Sequence, residues 1–142
     1  MGKAGPALIF PSRDDVIAVN RYHIESTGGF YQAPENLASP GSLEWVLSAI
    51  QYPLFGTDPY PSLVEKAAVL AWTIIADHTF FDGNKRTGVA VLKITLRVNG
   101  YDLTASDDEL IEMALAVAGK RDPRCSLEEF TVWIRSKLHL HG

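Results

Sequence analysis

Apolar residues recur at helical spacing in six segments of the chain. Residues 42–52 show the pattern most plainly, because their apolar positions stand at i, i+3, i+4 and i+7 and so share one helix face: Leu43, Val46, Leu47 and Ile50. Similar spacing predicts five further helices, over residues 12–26, 62–77, 84–99, 106–119 and 126–138. No stretch alternates apolar and polar residues for a usable strand length. The pattern predicts an all-α fold, a bundle of about six helices.

Helix-start signals support these boundaries. A serine followed three residues later by Glu or Asp is a capping box, in which each partner satisfies a free backbone N–H. Four of the segments begin with this pair, at Ser12/Asp15, Ser62/Glu65, Ser106/Glu109 and Ser126/Glu129. The segment from Ser62 is apolar on most sides, which predicts a helix buried at the centre of the domain.

Two connections are long and carry aromatic residues, residues 29–41 and 53–61. Long irregular loops in compact domains are often functional. A plain helix–helix connection accounts for each equally well. Their role stays open from the sequence alone.

The composition is typical of a globular protein. The chain has 142 residues, of which 46% are hydrophobic and 21% charged, as in one ordinary globular domain spanning residues 1–142. Its net charge is −4. That sign argues against a general nucleic-acid binder, which would carry a basic patch.

Localisation is expected to be cytoplasmic. The start of the chain has no signal-peptide pattern, and its longest apolar run, Ala67–Ala76, is about half of what a membrane span requires. The single cysteine, Cys125, cannot form an internal disulfide, which fits a reducing compartment. It has no histidine nearby in sequence, so we interpret it as an inert thiol rather than a nucleophile.

The chemically informative segment is HTFFDGNKRT, residues 78–87. It links a buried helix to the start of another helix, and the free N–H groups of a first helical turn form a ready anion site. Lys85 and Arg86 stand in that turn, where the helix dipole disfavours cations. A phosphate chain would offset both charges, since Arg grips phosphate bidentately and Lys acts as a point charge.

The neighbouring residues complete a candidate active site. Asp82 could bind Mg²⁺, which proteins hold through one or two carboxylates together with phosphate oxygens. His78 is the group that can move a proton near neutral pH. Gly83 lets the backbone approach a ligand closely. Phe80 and Phe81 are expected to anchor the loop in the core.

Each residue also has a purely structural explanation. His78 could end a helix, Asp82 and Gly83 could form a plain turn, and Asn84 could be an N-cap. The two cations could belong to a solvated face. Because all these features fall within ten residues, an active site explains them better than coincidence does.

These residues resemble the signature loop of the Fic/Doc family, and specifically its Doc branch, H-x-F-x-D-[AG]-N-K-R-T. All eight specified positions match. NGYDL at residues 99–103, GGF at residues 28–30 and SPGSLEWVLSAI before the central helix are also similar to that branch. The resemblance implies a Fic/Doc fold in which residues 29–41 form a flap, as a loop or a short hairpin, where an extended target segment docks.

The resemblance also implies residue roles. His78 would be the general base, Asp82 would bind Mg²⁺, and Phe80 would anchor the loop. Lys85 and Arg86 would act in catalysis. The phosphates of ATP would be held by the first turn and the glycine before it: Gly83, Asn84, Lys85, Arg86 and Thr87.

Position 85 separates two reactions. In the Fic branch it is glycine, and the usual reaction is AMP transfer to a protein hydroxyl; in the Doc branch it is lysine, and the toxin phosphorylates translation elongation factor Tu. The Fic branch also has a second arginine where this chain has Val89. The resemblance therefore favours phosphate transfer from ATP over AMP transfer. A non-catalytic binding partner is the third hypothesis.

An antitoxin is the implied partner. Other Fic classes carry an inhibitory helix with the pattern [S/T]-x-x-x-E-[G/N], and this chain has no such match, since Tyr31 stands four residues before Glu35-Asn36. The resemblance thus implies a separate small antitoxin that folds on binding. A protein target, such as a translation elongation factor, would be the second partner, with no direct nucleic-acid or membrane binding expected.

Overall fold

The computed structural model describes residues 7–52 and 56–142, and these form six helices and a small sheet. The helices are α1 (Arg13–Thr27), α2 (Pro40–Gln51), α3 (Leu63–Ala76), α4 (Asn84–Val98), α5 (Asp107–Val117) and α6 (Leu127–Ser136). The strands are β1 (Tyr101–Leu103) and β2 (Leu138–Leu140). The predicted six-helix fold is confirmed. Of the connection predicted over 53–61, residues 53–55 lie outside the described residues.

The predicted capping residues start four of the helices. Ser12, Ser106 and Ser126 each form a complete capping box with the acid three residues later. Ser62 accepts the backbone N–H of Glu65, but the Glu65 carboxylate accepts the Ser62 hydroxyl at 2.9 Å instead of a backbone N–H. Capping of this kind typically contributes about 1 kcal/mol per helix, so these starts are locally encoded.

The central helix is α3, as its apolar pattern predicts. Ala71 and Ile75 pack towards α4 and α6, whereas Leu70 and Ile74 pack towards α1 and α2. Each of these four residues is at most 1% exposed. Because both faces of α3 are buried, its C-terminus delivers residue 78 to a fixed place in the molecule.

Three details differ from the prediction. Helix α2 begins at Pro40 rather than near Ser42, because proline is well suited to the first helical position. Helix α6 ends at Ser136, so Leu138 belongs to β2, which pairs antiparallel with β1 in the register Leu103↔Leu138. Strands of three residues are too short to show alternation in the sequence.

Not every apolar residue of the predicted helices is buried. On α4, Leu92 and Leu96 are buried, but Ile94 is 44% exposed. On α5, Leu110 is buried and Ile111 is 55% exposed. The spacing therefore locates each helix correctly but overstates the width of its buried face. Within the part of the chain described, no helix is both long and apolar enough to cross a membrane.

Candidate active site

The segment between α3 and α4 begins with a left-handed residue. His78 follows the C-cap Asp77 and has φ +49°, and its side chain is exposed. The next residue is tied back to the helix, because the Thr79 N–H donates to the Ile74 carbonyl at 3.2 Å. A non-glycine residue held in this conformation carries backbone strain, which often marks a functional position. His78 thus leaves α3 as an exposed imidazole on a fixed backbone.

The two phenylalanines of the segment behave differently. Phe80 is 1% exposed and is the predicted core anchor. The prediction that Phe81 also anchors the loop is wrong, since Phe81 is 54% exposed. Phe80 pairs with Leu37 in an isolated β-bridge, and successive side chains of extended backbone point to opposite sides. Burying Phe80 therefore turns Phe81 outwards.

The Asn84 side chain fixes the shape of the motif loop through two hydrogen bonds to the backbone of Phe80. Its Oδ1 accepts the Phe80 N–H at 2.7 Å, and its Nδ2 donates to the Phe80 carbonyl at 2.7 Å. It is the first residue of α4, and the N-cap position belongs to Gly83. The Asn84 amide is thus committed to the shape of the loop, and a phosphate bound there would meet the backbone N–H groups of the turn.

The N-terminus of α4 has no side-chain cap. Gly83 adopts φ +80°, and a Cβ at this position would lie 3.0 Å from Asn20 Nδ2 and 3.0 Å from Ile24 Cδ1, so a side chain there would be strained and would crowd both groups. The first turn carries no acid, while Lys85 and Arg86 are both exposed there. The positive end of the helix dipole and two exposed cations therefore lie within one helical turn, which favours binding of an anion there.

Asp82 lies beside this point as a carboxylate. Its Oδ2 accepts the Phe30 N–H at 2.8 Å, and its Oδ1 accepts the Gly83 N–H at 2.8 Å. The Phe30 bond, with help from Gly83 and the positive charges of Arg86 and Lys85, holds the pKa of Asp82 below its usual value, against the opposing effect of partial burial. Asp82 is therefore ionised at neutral pH.

The Asp82 carboxylate is suited to bind Mg²⁺. A carboxylate has about four acceptor positions, and only two are used by the protein. Among residues 7–52 and 56–142, no three His, Cys, Asp or Glu side chains group into a metal site. A Mg²⁺ ion held by Asp82 would therefore take its remaining ligands from water and from phosphate oxygens, which is its common mode of binding.

The flap packs along the motif loop. It is a loop rather than a hairpin, and its one β-bridge joins Leu37 to Phe80. Just before the flap, Arg86 Nη2 donates to the Gly28 carbonyl at 3.2 Å. Before α2 begins, the N–H groups of Ala38 and Ser39 donate to the Thr79 carbonyl. The connection between α1 and α2 thus contacts the motif segment near both ends, which supports a functional interpretation of this connection.

Two buried asparagines in the site were missed by the sequence analysis. Asn20 lies on α1 and Asn36 lies in the flap with φ +61°. Asn20 Nδ2 donates to Thr87 Oγ1 at 3.1 Å, so the Thr87 hydroxyl points into the interior of the protein. The sequence did contain an indication that Asn20 is buried, because it stands between Val16 and Ile24 on the buried face of α1.

A cavity of about 570 Å³ runs beside the motif helix, between α1, α4 and α5. Its floor is apolar and includes Val89, the position of the second arginine in the Fic branch. Lys85, Arg86 and Lys93 line it, as does His23. Burial, and then the charge of Arg86, lower the pKa of His23, which keeps that imidazole neutral at pH 7.

Cys125 precedes α6 and lies outside the motif loop, with its N–H donating to the Ala116 carbonyl of α5 at 3.1 Å. It is 8% exposed, and burial raises the pKa of its thiol. Both features disfavour the reactive thiolate. They support the interpretation of Cys125 as an inert core residue.

A match to a family model accompanies this geometry. Residues 10–96, more than half of the 142-residue chain, match the Fic/DOC family. The chain belongs to the Fic/DOC family. The matched range contains the flap, the central helix and the whole motif loop.

A curated relative points to one branch of the family. The chain is similar to "Toxin Doc" of Mycolicibacterium smegmatis, with 38% identity over 68 residues. The match covers 48% of this chain and 52% of that protein, so it spans about half the length of each.

Proposed function

We propose that this protein is a Doc-like toxin that transfers the γ-phosphate of ATP to a hydroxyl of a protein target, such as a translation elongation factor. The observation that carries the proposal is the uncapped, cationic start of α4, with His78 and Asp82 in the loop leading to it. This arrangement supplies a base, a metal-binding carboxylate and an anion site within one loop.

The chemistry follows from these positions. A target hydroxyl in the flap region attacks the γ-phosphorus, the new O–P bond forms, and the bond from the γ-phosphorus to the ADP oxygen breaks. His78 accepts the hydroxyl proton. Arg86 and the N–H groups of the first turn bind the phosphate oxygens. Asp82 would hold Mg²⁺, which when bound neutralises part of the triphosphate charge.

Lys85 and Val89 favour phosphate transfer over AMP transfer. Lys85 adds a charge and volume at the start of α4, where a glycine would leave space for the triphosphate to lie deeper. Val89 contributes an apolar surface where a second arginine would grip another phosphate. Both differences change how the triphosphate lies and hence which phosphorus faces the nucleophile.

Two labelled forms of ATP test this proposal. The protein is incubated with Mg²⁺ and a translation elongation factor, in parallel with γ-labelled and α-labelled ATP. We expect the γ label on the factor and no α label. An α label alone would contradict phosphate transfer and support AMP transfer.

His78→Asn provides the catalytic control, because asparagine tolerates a left-handed backbone but cannot act as the base. We expect transfer to fall roughly a hundredfold or more. Expression of both forms in a bacterium without antitoxin then tests the non-catalytic hypothesis. Unimpaired growth with the unsubstituted protein would favour a binding role over catalysis.

A separate antitoxin is the partner that this function requires. The cavity beside α4 suits an amphipathic segment, since it has an apolar floor and cations around it. Ile111, 55% exposed and part of this cavity, offers a test with little risk to folding. We expect Ile111→Glu to leave transfer unchanged and to weaken suppression by the antitoxin encoded next to the toxin. Full suppression of this variant would place the antitoxin on another surface.

A further inference from the structure

Two asparagines without solvent exposure join three separate parts of the chain behind the motif loop. Asn20 on α1 and Asn36 in the flap are both 0% exposed. Asn20 Nδ2 donates to the Asp82 carbonyl at 2.9 Å and to Thr87 Oγ1 at 3.1 Å. Asn36 Nδ2 donates to Asn20 Oδ1 at 3.0 Å and to the Asp82 carbonyl at 3.3 Å. The Asp82 carbonyl is thus held from α1 and from the flap.

The hydrogen-bond network extends further through Asn36. Asn36 Oδ1 accepts the Gln32 N–H at 2.7 Å, and the Asn36 carbonyl accepts the Phe81 N–H at 2.9 Å. The left-handed backbone of Asn36, with φ +61°, is one that asparagine tolerates better than most residues. In a buried environment such connected hydrogen bonds strengthen one another and select a single geometry. Packing alone would favour an apolar residue at position 20, as at Val16 and Ile24.

The contacts of Asn20 bracket the start of α4. One partner, the Asp82 carbonyl, belongs to the peptide that carries the Gly83 N–H, and that N–H donates to Asp82 Oδ1 at 2.8 Å. The other partner, Thr87, lies at the end of the first helical turn. The direction of the Asp82 carboxylate relative to the N–H groups of that turn is therefore set through Asn20.

We infer that Asn20, supported by Asn36, is the positioning residue of the Mg²⁺–nucleotide site, and this inference rests on the function proposed above. Asn20 is 0% exposed, so it would not contact the ligand itself. It acts through Asp82 and Thr87, by fixing the orientation of the metal-binding carboxylate relative to the phosphate-binding turn. Outer partners of this kind typically change metal affinity or activity by about 10- to 100-fold when they are removed.

Asn20→Ala tests this role against a matched control, Asn99→Ala. Asn99 is the C-cap of the same helix, and its side chain makes hydrogen bonds with the Ile9 N–H and with the carbonyls of Ile9 and Thr95. The control therefore removes the same side chain and a similar number of hydrogen bonds at the far end of α4, about 20 Å away at 1.5 Å per residue.

Binding of a non-hydrolysable ATP analogue is measured by calorimetry over a range of Mg²⁺ concentrations, together with denaturant unfolding of each variant. We expect Asn20→Ala to raise the Kd about tenfold and to increase the Mg²⁺ concentration required. Asn99→Ala loses hydrogen bonds that are mostly exposed, so it should lose less stability than Asn20→Ala, and it should bind within about twofold of the unsubstituted protein. Equal binding by Asn20→Ala and the unsubstituted protein would overturn the positioning role, whereas failure of the unsubstituted protein to bind would overturn the proposed function.

A second variant and a ligand-free measurement keep the test decisive if Asn20→Ala folds poorly. Asn36→Gly removes the side chain and keeps the left-handed backbone accessible, so we expect a smaller weakening of binding in the same direction. In the ligand-free protein, amide exchange at Phe81 and Gly83 should accelerate in Asn36→Gly and Asn20→Ala but not in Asn99→Ala. Unchanged exchange at both amides would overturn the inference.

Discussion

The N-termini of α4 and α5 differ in how their free backbone N–H groups are hydrogen-bonded. Helix α5 begins with a complete Ser106/Glu109 capping box, and its first turn carries three acids. Helix α4 has Gly83 at its N-cap and no side-chain cap, and its first turn carries Lys85 and Arg86 with no acid. The dipole of α5 is therefore complemented by the chain itself, whereas that of α4 is opposed by its side chains.

This contrast separates a helix end that is stabilised by its own side chains from one whose charges would be stabilised by a bound anion, as the proposed function requires. The unfavourable placement of cations at α4 costs a few tenths of a kcal/mol up to about 1 kcal/mol in the ligand-free protein. A bound phosphate would reverse the sign of that interaction. The rest of the fold tolerates the cost because α4 is secured elsewhere, by buried residues such as Leu92 and Leu96.

The largest effect is expected for Asp82→Asn, which removes the charge beside the start of α4. We expect phosphate transfer to fall at least about a hundredfold, since the metal-binding group is lost. Stability should fall by only about 1 kcal/mol, because asparagine can still accept one of the two backbone N–H bonds. Labelled-ATP transfer and denaturant unfolding measure the two effects, and a fully active variant would remove Asp82 from the metal site.

The pH dependence of Asp82 has a definite sign. Its folded pKa is lowered, so its stabilising contribution is present above the unfolded value of about 3.9 and is lost as the pH falls through the folded value. Mg²⁺-dependent binding of the ATP analogue should therefore not depend on ionisation of Asp82 from pH 8 down to about pH 5. A binding transition between these limits that Asp82→Asn abolishes would contradict the assignment.

Lys85→Gly tests whether the cation in the first turn selects the reaction. We expect γ transfer to fall about tenfold, the effect of one hydrogen bond to a charged group, and α transfer to become detectable. Lys93→Gly is the control, because it removes a lysine from the same helix and cavity, two turns further on. An unchanged ratio of γ to α label in Lys85→Gly would exclude Lys85 as the determinant.

Gly83→Ala and Ser106→Ala compare the two helix starts directly. Gly83→Ala should cost about 1–2 kcal/mol, because φ +80° disfavours alanine and the new Cβ would crowd Asn20 and Ile24. Ser106→Ala should cost about 1 kcal/mol through loss of its cap. Only the glycine variant should also weaken Mg²⁺–ATP binding. Similar binding by both variants would mean that the start of α4 has no special role.

The smallest effect is expected at the start of α5. The hydrogen bond from Lys137, followed by that from the Ser106 backbone, lowers the pKa of Glu109 to about 2. Because the folded pKa is lowered, this stabilisation is present above pH 4.5 and is lost as the pH falls towards 2. Glu109→Gln should flatten the acid-induced loss of stability between these values, measured by unfolding at several pH values.

The local features of this chain were readable from its sequence. The serine caps, the apolar spacing and the Pro and Gly positions predict six helices, since each depends on neighbours within about one turn. The motif from His78 to Thr87 predicts the site for the same reason, because its residues are contiguous in the chain. The sheet of β1 and β2 was missed, since its strands are three residues each and pair across 30 or more positions.

Other properties depended on contacts between distant segments. Phe80 and Phe81 are identical in type and adjacent, and only the pairing with Leu37 decides that one is buried and the other exposed. Asn20 looks like an ordinary helix residue until α1 is packed against the loop 62 positions later. Local interactions encode where the candidate site lies. The direction of the Asp82 carboxylate depends instead on long-range hydrogen bonds, which form only when the helices and the flap pack together.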